Sequence, residues 1–533
     1  MFSRSNLMIP RFLVFMLTLG MVASPIATAV AQTPDASPVA SPVAFTDPVF
    51  EESECMYYLP HGLTEEDVVC GWVTAPMYPD QDRPETVTLP IIRILAHTDT
   101  PAAEPLMILL GGPGQNMSAV LPLFGDDVPE VSWNYMLERQ DVILFDQRGM
   151  GFSTPSLACP FEQIGADPAE NTNLGFALIQ CGGELKNAGV DPVAFTTEYN
   201  AADIESIRVA MGYDQVDLYG ISYGSKLALS AIRDYPDSIR STIIASPLPL
   251  EVNPFAGQTI GFDQALKEVW DACAADAECA AANPDPAGDL TKALELLKKE
   301  PIQLEITDPV SGQSMTLPID NIQFMQIVYL GVFVGPLVPI VPYLVTSVAQ
   351  GDDSVLQMVG PYLAAGGGLS MGATFTYFCQ DEVPFSQKSA TDAELADAGL
   401  APYMTDGSWI SLGDQAYSLC RMWLFPPADE IEAEAVVSDE PILILTGRFD
   451  PITPPSYGEL VLGNFPNGQL VMFENQGHDP ASAPAACSGP MIMAFLNDPT
   501  AEIDGSCAAE PVDFSVPDPG ATPVASPVAE PIG

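Results

Sequence analysis

The chain has 533 residues, of which 18 are basic and 70 acidic, giving a formal net charge of −52 at pH 7. A charge of that size and sign repels phosphate backbones and anionic lipid, so nucleic acids are excluded as partners. The length allows a large core, because α/β folds with insertions often reach this size around a single sheet.

The amino terminus has the composition of an export signal. Arg4 and Arg11 precede the apolar run 12–22, and the small residues 29–31 follow as a cleavage site. We therefore expect residues 1–31 to be a signal peptide, whose removal leaves a secreted or cell-surface protein without a membrane span. The alternative is an uncleaved anchor, although the apolar run is short for a bilayer.

Segments rich in proline, alanine and serine flank the rest of the chain at both ends. Residues 32–49 and 515–533 contain little bulk with which to pack a core, and they are predicted to be disordered tails. The folded part is therefore expected to run from about residue 50 to residue 514.

Ten cysteines lie beyond the predicted signal, an even number that suits an oxidising compartment. Disulfides are favoured over a metal site, because no Cys-x-x-Cys pair is present and the chain has only 3 histidines. No cofactor is indicated. The sequence does not fix the connectivity, but pairing by proximity joins Cys55 with Cys70, Cys159 with Cys181, Cys273 with Cys279, Cys379 with Cys420 and Cys487 with Cys507.

Short apolar runs alternate with helical patterns through much of the chain. Residues 72–75 and 87–95 are predicted to be early strands, and residues 201–211 a helix that ends at Gly212. The runs that are typical of strands buried on both faces of a parallel sheet are 106–110, 142–145, 216–219, 242–245, 442–445 and 470–473. This alternation predicts a mostly parallel, doubly wound α/β sheet with helices on both faces, whose ligands bind at the carboxyl ends of the strands.

The alternation stops between residues 250 and 437. We expect a mainly helical cap domain at 250–437, inserted between two parts of the α/β core at 50–249 and 438–514. The most apolar part of this insertion, 322–345, contains glycines and prolines, which favours kinked helices over a membrane span. These helices are expected to pack in the core of the cap; a hydrophobic wall for the substrate is the alternative.

A Gly-x-Ser-x-Gly sequence follows the predicted strand 216–219 and makes Ser222 the candidate nucleophile. In a sharp turn from strand to helix the flanking positions require glycine, and the serine oxygen is exposed at the edge of the sheet. A second match at 368–372 follows a glycine-rich stretch rather than a strand, and too little chain remains after it to build most of a sheet. We therefore favour Ser222.

A serine hydroxyl is a poor nucleophile at neutral pH and needs a base within hydrogen-bond reach. His478 follows the predicted strand 470–473, where a loop can bring an imidazole over the sheet edge. His61 and His97 lie near the start of the sheet and are expected at the surface. His478 is therefore the candidate base, with a structural loop histidine as the alternative.

The base needs a carboxylate that orients it. Asp450 lies just past the predicted strand 442–445 and is the candidate. Asp479 is adjacent to the histidine in sequence, so it is badly placed to reach the imidazole nitrogen that faces away from the serine. The resulting chain order of Ser222, Asp450 and His478 is that of α/β-hydrolases.

The oxyanion of a tetrahedral intermediate needs two donors. One is expected from the backbone N–H of Tyr223, the residue after the nucleophile. The other is expected from the Gly-Gly-Pro-Gly turn at 111–114, which follows the predicted strand 106–110. Proline has no N–H, and we favour Gly112 over Gly114.

Five segments together resemble the prolyl iminopeptidases and secreted tripeptidyl aminopeptidases among the α/β-hydrolases. They are Gly-Gly-Pro-Gly at 111–114, Asp-Gln-Arg-Gly-Met-Gly-Phe-Ser at 146–153, Gly-Ile-Ser-Tyr-Gly-Ser at 220–225, Gly-Arg-Phe-Asp-Pro-Ile-Thr-Pro at 447–454 and Gly-His at 477–478. The resemblance implies a serine exopeptidase with a helical cap, which removes one or a few residues from a free peptide amino terminus. Leu110 differs from the histidine that prolyl iminopeptidases usually carry there.

The segment 146–153 is interpreted as structural, with Asp146 and Arg148 bracing the loop after a strand. An aminopeptidase also needs carboxylates for the substrate ammonium, because a buried unpaired charge is costly. Tyr-Phe-Cys-Gln-Asp at 377–381 is similar to the Cys-x-Asp segment of the secreted tripeptidyl group. Asp381 and Glu382 are the candidates for this role, and a surface loop beside a disulfide is the alternative.

The leading hypothesis is an exported serine exopeptidase that acts through an acyl-enzyme and releases a tripeptide or a single residue from peptide substrates. The alternative is a secreted esterase or another small-molecule acyl hydrolase, because the triad specifies acyl transfer and not the leaving group. A binding protein without activity on the same scaffold is the candidate from another class. The oligomeric state is left open, a monomer included.

Overall fold

The computed structural model describes residues 47–126, 129, 131–163, 174–307, 314–364, 369–406, 412–478, 480 and 484–515. The predicted signal peptide, the carboxyl-terminal tail from residue 516 and all but the last residues of the amino-terminal tail lie outside these ranges. No helix in the described ranges is both long enough and apolar enough to cross a membrane.

The described strands and helices alternate in the first and last parts of the chain. The strands are β1 (Val49–Glu52), β2 (Val68–Pro76), β3 (Thr86–Ile94), β4 (Leu106–Leu109), β5 (Val142–Phe145), β6 (Val216–Ile221), β7 (Ile239–Ala245), β8 (Ile302–Thr307), β9 (Ser314–Ile319), β10 (Ile442–Gly447) and β11 (Gly468–Phe473). The α-helices are α1 (Pro160–Gln163), α2 (Leu174–Asn187), α3 (Thr197–Met211), α4 (Tyr223–Asp234), α5 (Pro254–Ala275), α6 (Ala277–Ala282), α7 (Pro286–Leu297), α8 (Asn321–Phe333), α9 (Val341–Gln350), α10 (Ser354–Ala364), α11 (Met371–Tyr377), α12 (Lys388–Asp397), α13 (Pro402–Thr405), α14 (Leu412–Trp423), α15 (Pro455–Asn464) and α16 (Ala485–Asn497).

The central sheet has the order β1-β2-β3-β5-β4-β6-β7-β10-β11. The pairs from β1 to β5 are antiparallel, and every neighbouring pair from β5 to β11 is parallel. Strands β4, β5, β6 and β10 are buried along their whole length, as their mostly apolar sequences favour. The predicted mostly parallel α/β sheet is confirmed.

Alternate side chains of the strands enter two separate apolar cores, one on each face of the sheet. Leu106 and Ile108 of β4 pack with α16, whereas Met107 and Leu109 pack with α3 and α4. This division follows from the two-residue period of a strand. Because the parallel strands all point the same way, the loops after β4, β6, β10 and β11 meet at one edge of the sheet.

The segment between β7 and β10 contains the helices from α5 to α14 and the two-stranded antiparallel sheet of β8 and β9. The apolar stretch predicted to form kinked helices is α8, a 3-10 turn at Gly335–Ile340 and α9, with Pro339 inside the turn. Its buried side chains join those of α5 and α7 in one apolar cluster. This agrees with the expected packing inside the insertion.

Five disulfides join the described cysteines in the pairs that proximity predicted.

The predicted bracing by the segment 146–153 is also confirmed. The Asp146 carboxylate accepts hydrogen bonds from the Tyr57 hydroxyl at 2.6 Å and from the Met117 and Phe152 backbones at 2.8 Å. Arg148 is fully buried, and its guanidinium donates two hydrogen bonds to the Asp203 carboxylate.

Candidate active site

Ser222 lies between β6 and α4 in a strained turn. Its φ of 55° and ψ of −121° fall outside the regions that residues with a side chain ordinarily adopt. A backbone conformation of this kind costs about 1–3 kcal/mol, and such conformations cluster at functional sites. A β-carbon at Gly220 would lie 2.4 Å from the Gly224 carbonyl oxygen, and one at Gly224 would lie 1.9 Å from the Leu109 carbonyl oxygen. The turn therefore requires glycine on both sides of the serine.

Asp450 and His478 are in direct contact. The imidazole Nδ1 is 3.0 Å from Asp450 Oδ1 and 2.9 Å from Oδ2. The same carboxylate accepts hydrogen bonds from the Ser246 and Thr453 hydroxyls and from the backbone N–H groups of Ile452 and Thr453. Burial alone would raise the pKa of Asp450, but His478 and the backbone N–H groups of Thr453 and Ile452 more than offset it and hold the pKa below its ordinary value. The aspartate is therefore ionised at neutral pH and suited to orient an imidazole.

The sheet register brings the serine and the aspartate to the same edge. Ile221 of β6 pairs with Ala245 of β7, and Ala245 pairs with Leu445 of β10. The chain continues from these positions into Ser222, Ser246 and the loop of Asp450. Sequence reasoning missed Ser246, whose hydroxyl donates to Asp450 at 2.7 Å. Its position directly after the end of β7, a central strand, could have indicated that it lies at the site.

The remaining histidines are exposed, as expected: the His61 side chain is 78% accessible, and His97 lies in an exposed loop. Asp479 lies outside the described residues. In the second Gly-x-Ser-x-Gly match, Ser370 accepts a hydrogen bond from the Ala373 N–H and caps the start of α11. That serine occupies a helix cap and not a turn from strand to helix.

The turn at 111–114 faces the candidate nucleophile. A β-carbon at Gly111 would lie 3.0 Å from the β-carbon of Ser222. Gly112 has φ +110°, a conformation that side chains rarely adopt. Tyr223 is the first residue of α4, where a backbone N–H has no acceptor within the helix and the helix dipole favours negative charge. Tyr223 thus follows the serine in the chain, and Gly112 follows the glycine that contacts it. The roles of Gly112 and Tyr223 as oxyanion donors stay predictions.

Family comparisons agree with this geometry. A family model described as alpha/beta hydrolase fold matches residues 104–287, which contain Ser222, and one described as TAP-like protein matches residues 411–507, which contain Asp450 and His478. The chain is a serine hydrolase with the α/β-hydrolase fold. This hydrolase is 24% identical to the serine protease Hip1 of Mycobacterium tuberculosis over 84% of its own length and 88% of that protein.

Two further relatives match shorter parts of the hydrolase. The tripeptidyl aminopeptidase of Streptomyces lividans is 26% identical over 34% of the hydrolase and 35% of the relative. The proline iminopeptidase of Xylella fastidiosa is 27% identical over 27% of the hydrolase and 32% of the relative. Both relatives are named as peptidases.

Asp381 and Glu382 lie in a buried π-helical turn that follows α11 in the chain and contacts α3 and α4. Asp381 Oδ2 accepts hydrogen bonds from the Thr197 N–H at 3.0 Å and hydroxyl at 2.6 Å. Glu382 forms an ion pair with Lys226 of α4 at 2.6 Å. Both carboxylates line a cavity of about 270 Å³ that is also lined by Glu394. Their role as ammonium ligands stays a prediction.

The burial of Asp381 has a consequence for stability. Burial, with the nearby Glu432, raises the pKa of Asp381 from 3.8 to about 8, although Lys226 and Thr197 act in the opposite direction. Between these two values the folded state keeps a proton that the unfolded state loses. The free energy of unfolding therefore falls as the pH rises from about 4 to about 8. Above that pH the loss of stability caused by the ionised, buried carboxylate is constant.

Asp381→Asn is expected to remove this penalty, because an asparagine carries no charge and its oxygen still accepts from Thr197. The melting temperature of the variant relative to wild type should rise between pH 5 and about pH 8 and then level off. Glu394→Gln, which neutralises an exposed carboxylate at the same cavity, should show no such trend. A constant difference between Asp381→Asn and wild type across this range would contradict the prediction.

Proposed function

We propose that the hydrolase is an exported serine exopeptidase that releases short amino-terminal units from peptides through an acyl-enzyme. The observation that carries the proposal is the hydrogen-bonded pair of His478 and Asp450 at the sheet edge that also holds the strained Ser222. A serine in such a turn, a histidine and a buried carboxylate are the parts that acyl transfer needs.

In the proposed reaction Ser222 Oγ attacks the carbonyl carbon of the scissile peptide bond and gives its proton to His478 Nε2. Asp450 accepts the Nδ1 hydrogen bond and stabilises the imidazolium. The N–H groups of Gly112 and Tyr223 stabilise the oxyanion. The C–N bond then breaks as His478 returns the proton to the leaving amine. Water attacks the resulting ester by the same route and regenerates the serine.

Peptides are proposed as substrates because three of the relatives are named as peptidases. Cleavage near a free amino terminus requires a group that compensates the substrate ammonium. Asp381 and Glu382 are proposed for this role because they line an acidic cavity. To bind an ammonium they must exchange partners, since Lys226 and Thr197 hold them in the free protein. Asp381 must also lose the proton that burial keeps on it below about pH 8. Export is supported by the predicted signal peptide and by the five disulfides, which suit an oxidising compartment.

The test is to compare a tripeptidyl anilide that has a free amino group with the same compound acetylated, and with a nitrophenyl ester. The free amine should be hydrolysed with a kcat/KM about a hundredfold higher than the acetylated form, because hydrogen bonds to a charged group are worth about 1.5–3 kcal/mol. Mass spectrometry of the products gives the number of residues released. Equal rates for free and acetylated peptides would exclude the exopeptidase, and cleavage confined to the ester would identify an esterase.

Two serine variants make this test specific. Ser222→Ala should abolish both hydrolysis and labelling by a fluorophosphonate. Ser370→Ala changes the serine of the other Gly-x-Ser-x-Gly sequence and should keep the label. A label that maps to any serine except Ser222 would overturn the proposed nucleophile.

A further inference from the structure

We infer that Phe333, at the end of α8 in the segment inserted between β7 and β10, is a positioning residue for His478. The inference rests on the proposed role of His478 as the base. It adds that the imidazole is held on one side by the sheet, through Asp450, and on the other side by the inserted helices.

Three contacts join Phe333 and its neighbour to the histidine. The phenyl ring is stacked on the imidazole, with ring centroids 4.6 Å apart and an angle of 30° between the planes. The His478 backbone N–H donates to the Phe333 carbonyl at 2.8 Å. Val334 pairs with His478 in an isolated parallel β-bridge. The contact therefore fixes both the backbone and the side chain of the histidine.

The glycines at this contact allow the two segments to approach closely. A β-carbon at Gly477 would lie 2.1 Å from the Val332 carbonyl oxygen, and one at Gly335 would lie 2.0 Å from Gln476 Oε1. On the other side, a β-carbon at Gly447 would lie 1.9 Å from the Gly477 carbonyl oxygen. The loop that carries His478 is thus enclosed between the end of β10 and the end of α8.

The two restraints on the imidazole are of different kinds. The bond to Asp450 fixes the position of Nδ1 but leaves the ring free to tilt about it. Stacking on the Phe333 face restricts that tilt, since aromatic pairs prefer defined geometries. Together they set the direction of Nε2, the atom that must receive the serine proton.

Phe333 is itself supported by a row of aromatic rings. Its centroid is 5.9 Å from that of Tyr329 on α8, which is 5.1 Å from that of Phe262 on α5. The row extends from the apolar cluster of the insertion to the catalytic edge of the sheet. A change in the packing of the inserted helices would therefore change the orientation of the His478 ring.

The test compares Phe333→Leu and Phe333→Tyr with a matched change on the same helix, Phe324→Leu. Phe324 is fully buried in the apolar cluster of the insertion, so its variant reports the cost of losing a ring from α8. Phe333→Leu should lower kcat about ten- to a hundredfold, because small misplacements of a catalytic group have effects of this size. KM should change less than about threefold, since substrate binding is not the function affected. Phe333→Tyr keeps the aromatic ring, so its kcat should stay within about threefold of the wild-type value.

A readout that needs no turnover separates this inference from the proposed function. The proton shared by His478 Nδ1 and Asp450 should give a strongly downfield NMR resonance, which Asp450→Asn identifies by its loss. This resonance should broaden or vanish in Phe333→Leu and persist in Phe333→Tyr and Phe324→Leu. Equal kcat values for Phe333→Leu and Phe324→Leu, or an unchanged resonance in Phe333→Leu, would overturn the inference. Activity that survives Ser222→Ala would instead overturn the proposed function, and the resonance would still decide the role of Phe333.

Discussion

Asp450→Asn is expected to lower kcat about 10⁴-fold while the fold is retained, the loss known for the equivalent change in serine proteases. An asparagine has the same shape, and its carbonyl can still accept from Ser246 and Thr453. Its amide group, however, donates to His478 Nδ1. The imidazole then carries its proton on Nε2, so it cannot accept the proton of Ser222. The loss should appear in kcat, with KM little changed, because the reaction is impaired and not substrate binding.

Ser246→Ala is the matched control for this prediction. It removes one of the donors to the same buried carboxylate but leaves the charge and the histidine contact in place. We expect it to reduce kcat by no more than about a hundredfold, far less than Asp450→Asn, because one hydrogen bond to a charged group is worth about 1.5–3 kcal/mol. Melting curves establish that both variants are folded. An Asp450→Asn enzyme that keeps a tenth of the wild-type kcat would show that another group orients the histidine.

The strands of the parallel part could be predicted because burial on both faces demands continuous apolar runs. The edge strand β1 was missed for the opposite reason. Val49–Glu52 is mostly exposed and pairs only with β2, so its sequence carries neither an apolar run nor an alternation. The hairpin of β8 and β9 was missed because the surrounding segment is mainly helical, although β8 alternates apolar with polar residues as a half-buried strand does.

The candidate catalytic residues could be found because each must follow the end of a strand. Ser222, Asp450 and His478 are fixed by that rule and by the chemistry of acyl transfer. The partners of the site obey no such rule. Phe333 reaches His478 from a helix of the insertion, and no local pattern of sequence encodes a contact between segments so far apart in the chain.

The same limit applies to the predicted ammonium ligands. The sequence indicated Asp381 and Glu382, but it did not indicate that Lys226 and Thr197 hold them. Those partners come from α4 and α3, whose packing against the π-helical turn is a property of the whole fold. A carboxylate can be identified from sequence more readily than the charge it faces.

Asp203→Asn is expected to lower the free energy of unfolding by about 3–5 kcal/mol, because it leaves a buried guanidinium without a counter-charge. Arg148 Nε and Nη2 donate to the two oxygens of Asp203 at 2.7 and 2.6 Å, and neither side chain has appreciable contact with solvent. The third nitrogen of the guanidinium, Nη1, donates to the carbonyl oxygens of Met77 and Ala194. The guanidinium therefore joins the sheet to the chain that precedes α3, and no water can replace the lost carboxylate.

The same helix supplies the control. Glu205 on α3 also binds an arginine with two hydrogen bonds, but its pair with Arg208 is partly exposed, with 17% of the arginine and 23% of the glutamate side chain accessible. Glu205→Gln should cost only about 0.2–1 kcal/mol, since solvent screens the pair and hydrates the charge that is left. Urea unfolding of the two variants compares pairs of the same geometry that differ in burial. Equal costs for the two variants would show that burial does not determine the contribution of the Arg148 pair.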